Sequence, residues 1–254
     1  MIKNIVFDLS GTIFKPEIRH NPCESLILYM WGTYKIPSNS DTCVIDIFSE
    51  SYINNDPRYQ GILLHNGQPV PPLISAWLAG EINSETALAF AMQEYYKFLK
   101  YDKLPVDEKK QDLIKCTIEA FFDTQLHASI QRLEPCVLTL IESCAQKKTP
   151  LYILSNWDAE SFEKLYHSLE GHKIFKYFKP ENITISGKAG ALKPHKKIFD
   201  YFFVHTKLEP QSCIFIDDQQ ENVNAALDMG MAALQFKVSA INNIGEELLK
   251  LGLR

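Results

Sequence analysis

Apolar positions along this 254-residue chain follow two regimes. Five short runs are almost unbroken and end in polar residues: "NIVFD" (4–8), "LYILSN" (151–156), "NITIS" (182–186), "CIFIDD" (213–218) and "MAALQF" (231–236). Runs this short without polar alternation predict strands buried on both faces. Between the later runs the spacing becomes helical, in "PCVLTLIESCAQKK" after Pro135, "DAESFEKLYHSL" from Asp158, "PHKKIFDYFFVH" from Pro194, and "ENVNAALDMG" closing on Gly230. Proline suits a first helical position and glycine a helix end. Strand and helix alternating over 133–236 predict parallel βαβ units, hence an α/β fold.

Residues 15–130 read differently. Their periodicity is mostly helical, in "CESLILYMWGTY" (23–34), "TCVIDIFSESYI" (42–53), "PLISAWLAGEINSETALAFAMQEYYKFL" (72–99) and "KKQDLIKCTIEAFFDTQL" (109–126). A loop rich in Pro, Gly and Asn at 54–72 and Pro105 divide this stretch. The expected organisation is a core of residues 1–14 and 131–254, with 15–130 inserted as an all-helical domain between the first strand and the rest of its sheet.

Composition narrows the function classes. The chain is 46% hydrophobic, enough for a sizeable core, and 26 basic against 31 acidic residues give a charge of −5 with no basic tract to follow a phosphate backbone. Nucleic acid is excluded as a first reading. No apolar run reaches membrane-spanning length, and Asp8 interrupts the N-terminal one, so a soluble, cytoplasmic protein is expected. The six cysteines are scattered, without metal-site spacing, and read as reduced thiols, with Cys213 a core residue.

The polar residues at the strand ends carry the chemistry. Ligands of an open parallel sheet bind beyond the C-terminal strand ends, where strand order reverses. Asp8, Ser155 with Asn156, and Asp217 with Asp218 end three strands, and Lys193 precedes a helix. Each alone is ordinary turn or cap chemistry; together they suggest one crevice. Three carboxylates and a lysine suit Mg²⁺ bound with a phosphate group. Lys193, the Ser155 hydroxyl and the Asn156 backbone amide would hold phosphoryl oxygens, and Asp8 could attack phosphorus in line.

In order and spacing, "FDLSGT", "LYILSN", the "LKP" around Lys193 and "FIDDQQENVNAALDMGM" resemble the four motifs of the haloacid dehalogenase-like superfamily. The helical insertion is similar to the cap of its subfamily I, and "WLAGEI" (77–82) to a recurring segment of that cap. The resemblance implies a three-layer, Rossmann-like parallel sheet core with an inserted cap. It implies Asp8 as nucleophile, and Asp8, the Ser10 carbonyl, Asp217 and Asp218 as Mg²⁺ ligands. Thr12 would orient the nucleophile loop and assist phosphate binding. Ser155, Asn156 and Lys193 would bind phosphate, and Asn222 would brace the acidic loop.

One position departs from that pattern. The family's phosphatases ordinarily carry aspartate where this chain has Ser10; it protonates the leaving oxygen and activates water. Serine is too weak an acid and base for this, and losing such a group costs about 10²–10⁴ in rate. The expected function is therefore a phosphatase or phosphotransferase with slowed turnover, acting on a small phosphorylated metabolite. The rival is an impaired member that binds a metabolite or partner. Some members recruit a cap lysine instead, and Lys15, Lys35, Lys97 and Lys103 are available. Dehalogenation ranks below both, because the acid pair persists and Phe199 stands where dehalogenases have tyrosine. His195 is read as a surface residue at a helix start, and "YYKF" (95–98) and "FF" (121–122) as packing within the insertion.

Overall fold

The computed structural model describes residues 2–17, 39–52, 62, 69–104 and 107–250. The strands are β1 (Asn4–Phe7), β2 (Phe14–Pro16), β3 (Gln131–Leu133), β4 (Leu151–Ser155), β5 (Ile183–Ile185), β6 (Cys213–Asp217) and β7 (Ala232–Gln235). Five of them form a parallel sheet in the order β5-β4-β1-β6-β7. The short apolar runs are explained by this sheet. In β1, Ile5 and Phe7 pack on one face with Ile153, Ile214 and Ile216. Val6 packs on the other with Leu154, Cys213 and Phe215. A strand covered on both sides needs apolar residues at every position.

Helices complete the outer layers. Pro135–Gln146, Ala159–Tyr166 and Ile241–Lys250 cover the first face through residues such as Val137, Ile141, Phe162 and Leu248. Lys196–Thr206 and Gln220–Asp228 cover the second through Ile198, Phe199, Phe202 and Ala226. The chain is thus a three-layer α/β protein with a Rossmann-like sheet.

Between β2 and β3 lie the helices Asn39–Glu50, Pro72–Leu78, Ser84–Lys100, Glu108–Phe121 and Thr124–Ser129. They pack around their own apolar cluster, which includes Val44, Phe48, Trp77, Ala91, Phe98, Ile118 and Phe121. Along Ser84–Lys100 the buried Ala87, Ala91, Tyr95 and Phe98 recur at helical spacing, giving it one apolar face. β2 and β3 join antiparallel at the root of this bundle, pairing Phe14 with Leu133 and Pro16 with Gln131.

Several expectations need correction. The stretch from Pro72 is helical as its periodicity predicts, divided into two helices because Gly80 turns at φ +73° and the Asn83 side chain caps the second by accepting the Thr86 N–H at 2.8 Å. Pro194 does not open its helix: the Lys193–Pro194 peptide is cis, and the helix starts at Lys196 with His195 Nδ1 capping Lys197 N–H. Cys116 is disulfide-bonded, so the thiols are not uniformly reduced; Cys43, Cys136, Cys144 and Cys213 are free. The helix expected at 23–34 and most of the 54–72 loop lie outside the described residues. Among the described residues, no helix is long and apolar enough to cross a membrane.

Candidate active site

Where β1 ends, the Asp8 N–H donates to the Ile216 carbonyl at 2.9 Å and the chain then turns sharply. Phe14 N–H closes the turn on the Leu9 carbonyl at 2.7 Å, and Gly11 N–H on the Phe14 carbonyl at 2.8 Å. Asp8 and Ser10 line one cavity across this turn. Gly11 was not singled out from the sequence, yet it sets how close the turn comes to the acidic loop. It stands at φ +77°, and a Cβ there would lie 2.4 Å from Asp218 Oδ2. Gly11→Ala is expected to lower stability by about 1–3 kcal/mol, read as a lower urea midpoint at unchanged m-value.

Lys193 is the centre of the cluster. It is only 1% exposed, and its Nζ donates to Asp8 Oδ1 and to Asp217 Oδ2, each at 2.6 Å. Its backbone is clamped by Asn156, whose Nδ2 donates to the Lys193 carbonyl at 2.9 Å and whose Oδ1 accepts the Lys193 N–H at 2.7 Å. Asp217 is braced in turn: Asn222 Nδ2 donates to both its oxygens at 3.1 Å, and the Gln219 N–H to Oδ1 at 2.8 Å. Asn222 thus occupies the position expected of it. Ser155, wholly buried, accepts the Leu9 N–H at 3.4 Å and bonds the Asp8 carboxylate. Thr12 is also wholly buried, and its hydroxyl has no hydrogen-bond partner among the described residues. Neither Thr12 nor Ser155 lines the cavity.

Oxygens of Asp8, Asp217 and Asp218 lie within 4.8 Å of one another. Three carboxylates face one ammonium, so full ionisation leaves net negative charge in a dry place. Burial pushes Asp8 up to about 6, with Lys193 pulling it down and Asp217 adding to the rise. Burial and the neighbouring Asp217 and Asp8 hold Asp218 well above the usual carboxylate range. Burial opposes the Lys193 charge, but Asp217 and Asp8 outweigh it and raise its pKa. An all-oxygen donor set with surplus negative charge fits a hard divalent cation such as Mg²⁺.

The raised Asp8 pKa has a measurable sign. In the metal-free protein the folded state keeps a proton on Asp8 that the unfolded chain releases near pH 4. Asp8 therefore lowers stability progressively as pH rises from about 4 through about 6. Urea unfolding in a chelator at pH 4 to 7 is expected to show this decline, to which Asp218 adds with the same sign, and Asp8→Asn to lessen it.

The remaining cavity wall is apolar. The space, about 90 Å³, is floored by Asp8, Ser10, Asn156 and Lys193 and walled by residues including Ile74, Trp77, Leu78 and Phe121. Phe121 is thus both packing within the helical bundle and cavity wall. The other polar lining residues, Gln219 and Asn222, belong to the acidic loop and its helix. His195 is outside the cavity, as expected. Lys15, Lys97 and Lys103 are paired with Glu134, Glu94 and Glu50 at 2.9, 2.7 and 2.9 Å, and Lys35 lies outside the described residues. Phe199 is buried against the Phe215 ring at 6.0 Å.

Carboxylates and a lysine gathered beyond the ends of β1, β4 and β6 define an α/β protein with its polar site at the switch point of a parallel sheet. The haloacid dehalogenase-like hydrolase family model matches residues 2–230, and the chain belongs to that family. It is similar to flavin mononucleotide hydrolase 1, chloroplastic, of Arabidopsis thaliana, 35% identical over 65 residues, a match spanning 26% of this chain and 26% of that protein. A HAD family enzyme of Bacteroides thetaiotaomicron, solved with magnesium and inorganic phosphate, shares the fold at 16% identity and TM-score 0.52, over 93% of this chain and 95% of that one. A HAD-like family hydrolase of Porphyromonas gingivalis does so at 17% identity and TM-score 0.53, over 96% and 98%.

Proposed function

We propose that this hydrolase is a Mg²⁺-dependent phosphatase or phosphotransferase acting on a small phosphorylated molecule through an aspartyl phosphate at Asp8. The observation that carries the reading is the buried cluster in which Lys193 bridges Asp8 and Asp217 at 2.6 Å while Asp218 adds a third carboxylate. The B. thetaiotaomicron enzyme, solved in complex with both magnesium and inorganic phosphate, supports it.

Asp8, Asp217, Asp218 and the Ser10 carbonyl would hold the cation. Bound there, Mg²⁺ supplies the charge that lets a carboxylate and a phosphoryl group approach. Lys193, released from part of its bridge, holds phosphoryl oxygens as a point charge with the Asn156 backbone N–H as a donor, while the Ser155 hydroxyl, outside the cavity lining, holds the Asp8 carboxylate. Asp8 attacks phosphorus, and Thr12 supports the loop that aims it. Residues 15–130 serve as a cap over the core of 1–14 and 131–254, and their apolar wall keeps bulk water off the phosphoryl group. Ser10 leaves the protonation steps unassisted, so release of phosphate from Asp8 is slow.

The test is hydrolysis of para-nitrophenyl phosphate. Slow turnover that requires Mg²⁺ and vanishes in Asp8→Asn is expected; turnover that persists in Asp8→Asn or in chelator would overturn the assignment.

A further inference from the structure

The cavity's own chemistry bears on what leaves when Asp8 is phosphorylated. We propose that the site takes phosphate esters of apolar, weakly basic leaving groups, single-ring aryl phosphates above all, in preference to those of sugars and polyols. The proposal rests on the aspartyl-phosphate reading above and adds the substrate class to it.

Two independent observations lead to it. The first is the apolar part of the lining, which includes Val70, Ile74, Trp77, Leu78, Phe121 and Leu192. Its polar atoms are already engaged: the Trp77 indole N–H donates to Ser84 Oγ at 3.1 Å, and the Phe121 carbonyl meets His127 Nε2 at 2.6 Å. The two rings stand with centroids 5.9 Å apart and offer apolar surface to a ligand. Sugar hydroxyls facing this wall would lose water and regain no partner from it, at a cost of about tenfold or more in affinity per hydroxyl, with Gln219 and Asn222 the polar lining side chains outside the floor. The cavity of about 90 Å³ must also take the phosphoryl group, so it favours a small leaving group over a large one.

The second observation concerns the proton. Among the described residues that line the cavity, the titratable side chains are Asp8 and Lys193, and both are already engaged. Ser10 offers no acid. Without an acid from these described residues, the departing oxygen leaves as an anion. A phenol, with pKa near 10, tolerates that; an alcohol, close to water's 15.7, does not.

The step balances without a further reactant. An Asp8 carboxylate oxygen bonds to phosphorus as the bond from phosphorus to the aryl oxygen breaks, and the electron pair leaves as phenolate, which takes its proton from solvent. Water later attacks the phosphoryl group, restoring the Asp8 carboxylate and giving inorganic phosphate with a proton lost to solvent.

The test compares phenyl phosphate, para-nitrophenyl phosphate, glycerol 3-phosphate and glucose 6-phosphate with Mg²⁺ and the full chain, with acetyl phosphate as a separate phosphoryl donor. The aryl esters are expected to show kcat/KM at least about 10²-fold above the polyol esters. In kcat/KM, which reports phosphorylation of Asp8, Ser10→Asp is expected to raise the polyol esters by about 10²–10⁴ and para-nitrophenyl phosphate by less than about tenfold, because only the former need the proton in that step. Leu78→Asn, at the half-buried end of its helix, should shrink the phenyl-to-glycerol ratio by about tenfold. If acetyl phosphate phosphorylates Asp8 but the polyol esters react as fast as the aryl ones, this substrate class is overturned and the Asp8 reading stands. If no donor phosphorylates Asp8, both fall.

Discussion

Ser10→Asp is expected to raise steady-state phosphate release from polyol esters by about 10²–10⁴-fold, the range a positioned general acid and base contributes. The new carboxyl would stand in the same cavity as Asp8, on the turn that Gly11 closes. It could protonate a departing oxygen and then take a proton from the water that cleaves the phosphoenzyme. With para-nitrophenyl phosphate, whose leaving group needs no proton, the gain is confined to the hydrolytic step, so any initial burst in wild type becomes a linear time course in the variant. Stopped-flow and steady-state measurements on the two kinds of ester separate these steps. An equal, small change in both would mean that protonation does not limit this site.

Lys193→Met is the second large effect, in stability as well as rate. The lysine is wholly enclosed, lies 5.1 Å from the Phe215 ring centroid, and is the cation that Asp8 and Asp217 share. Methionine keeps much of the stem but leaves two buried carboxylates without their partner. Breaking a buried pair in this way costs about 3–5 kcal/mol, roughly 10 °C in melting temperature for a chain of this size. The loss should shrink at pH 5, where Asp8, already pushed up to about 6, is largely protonated. The rate should fall by about 10²–10³ or more, as when one donor is removed from an oxyanion site. Thermal melts at pH 5 and pH 7.5 check the first part; unchanged stability at both would mean that the acids do not depend on Lys193.

The sheet was legible in the sequence because strands buried on both faces leave unbroken apolar runs. The polar residues ending those runs were legible for the same reason: a carboxylate or lysine at a dry strand end needs a partner. Elsewhere the signals were weaker. β2 and β3 are three residues each, with Pro16 in one, too short for any period to show. The helix Ile241–Lys250 went unread although Ile244 and Leu248 are spaced to face the core. Pro194 looked like a helix start, but the Asn156 clamp on the Lys193 backbone precedes a cis peptide and the helix begins only at Lys196. Ser10 reaches the cavity through a turn, and nothing in the local pattern marked the Gly11 that the turn needs. The cavity wall was the least accessible part. Trp77 and Phe121 meet through packing between separate helices, and nothing in either local pattern brings them together.

Whether Asp8 becomes phosphorylated, and whether Ser10 leaves the phosphoenzyme slow to hydrolyse, is decided by intact-protein mass spectrometry after mixing wild type with acetyl phosphate and Mg²⁺. The expected spectrum shows a single added phosphoryl group that maps to Asp8, needs Mg²⁺, is absent in Asp8→Asn and persists far longer in wild type than in Ser10→Asp. An unmodified wild-type protein together with an unmodified Ser10→Asp variant, or a phosphoryl group on another residue, would contradict the aspartyl-phosphate mechanism.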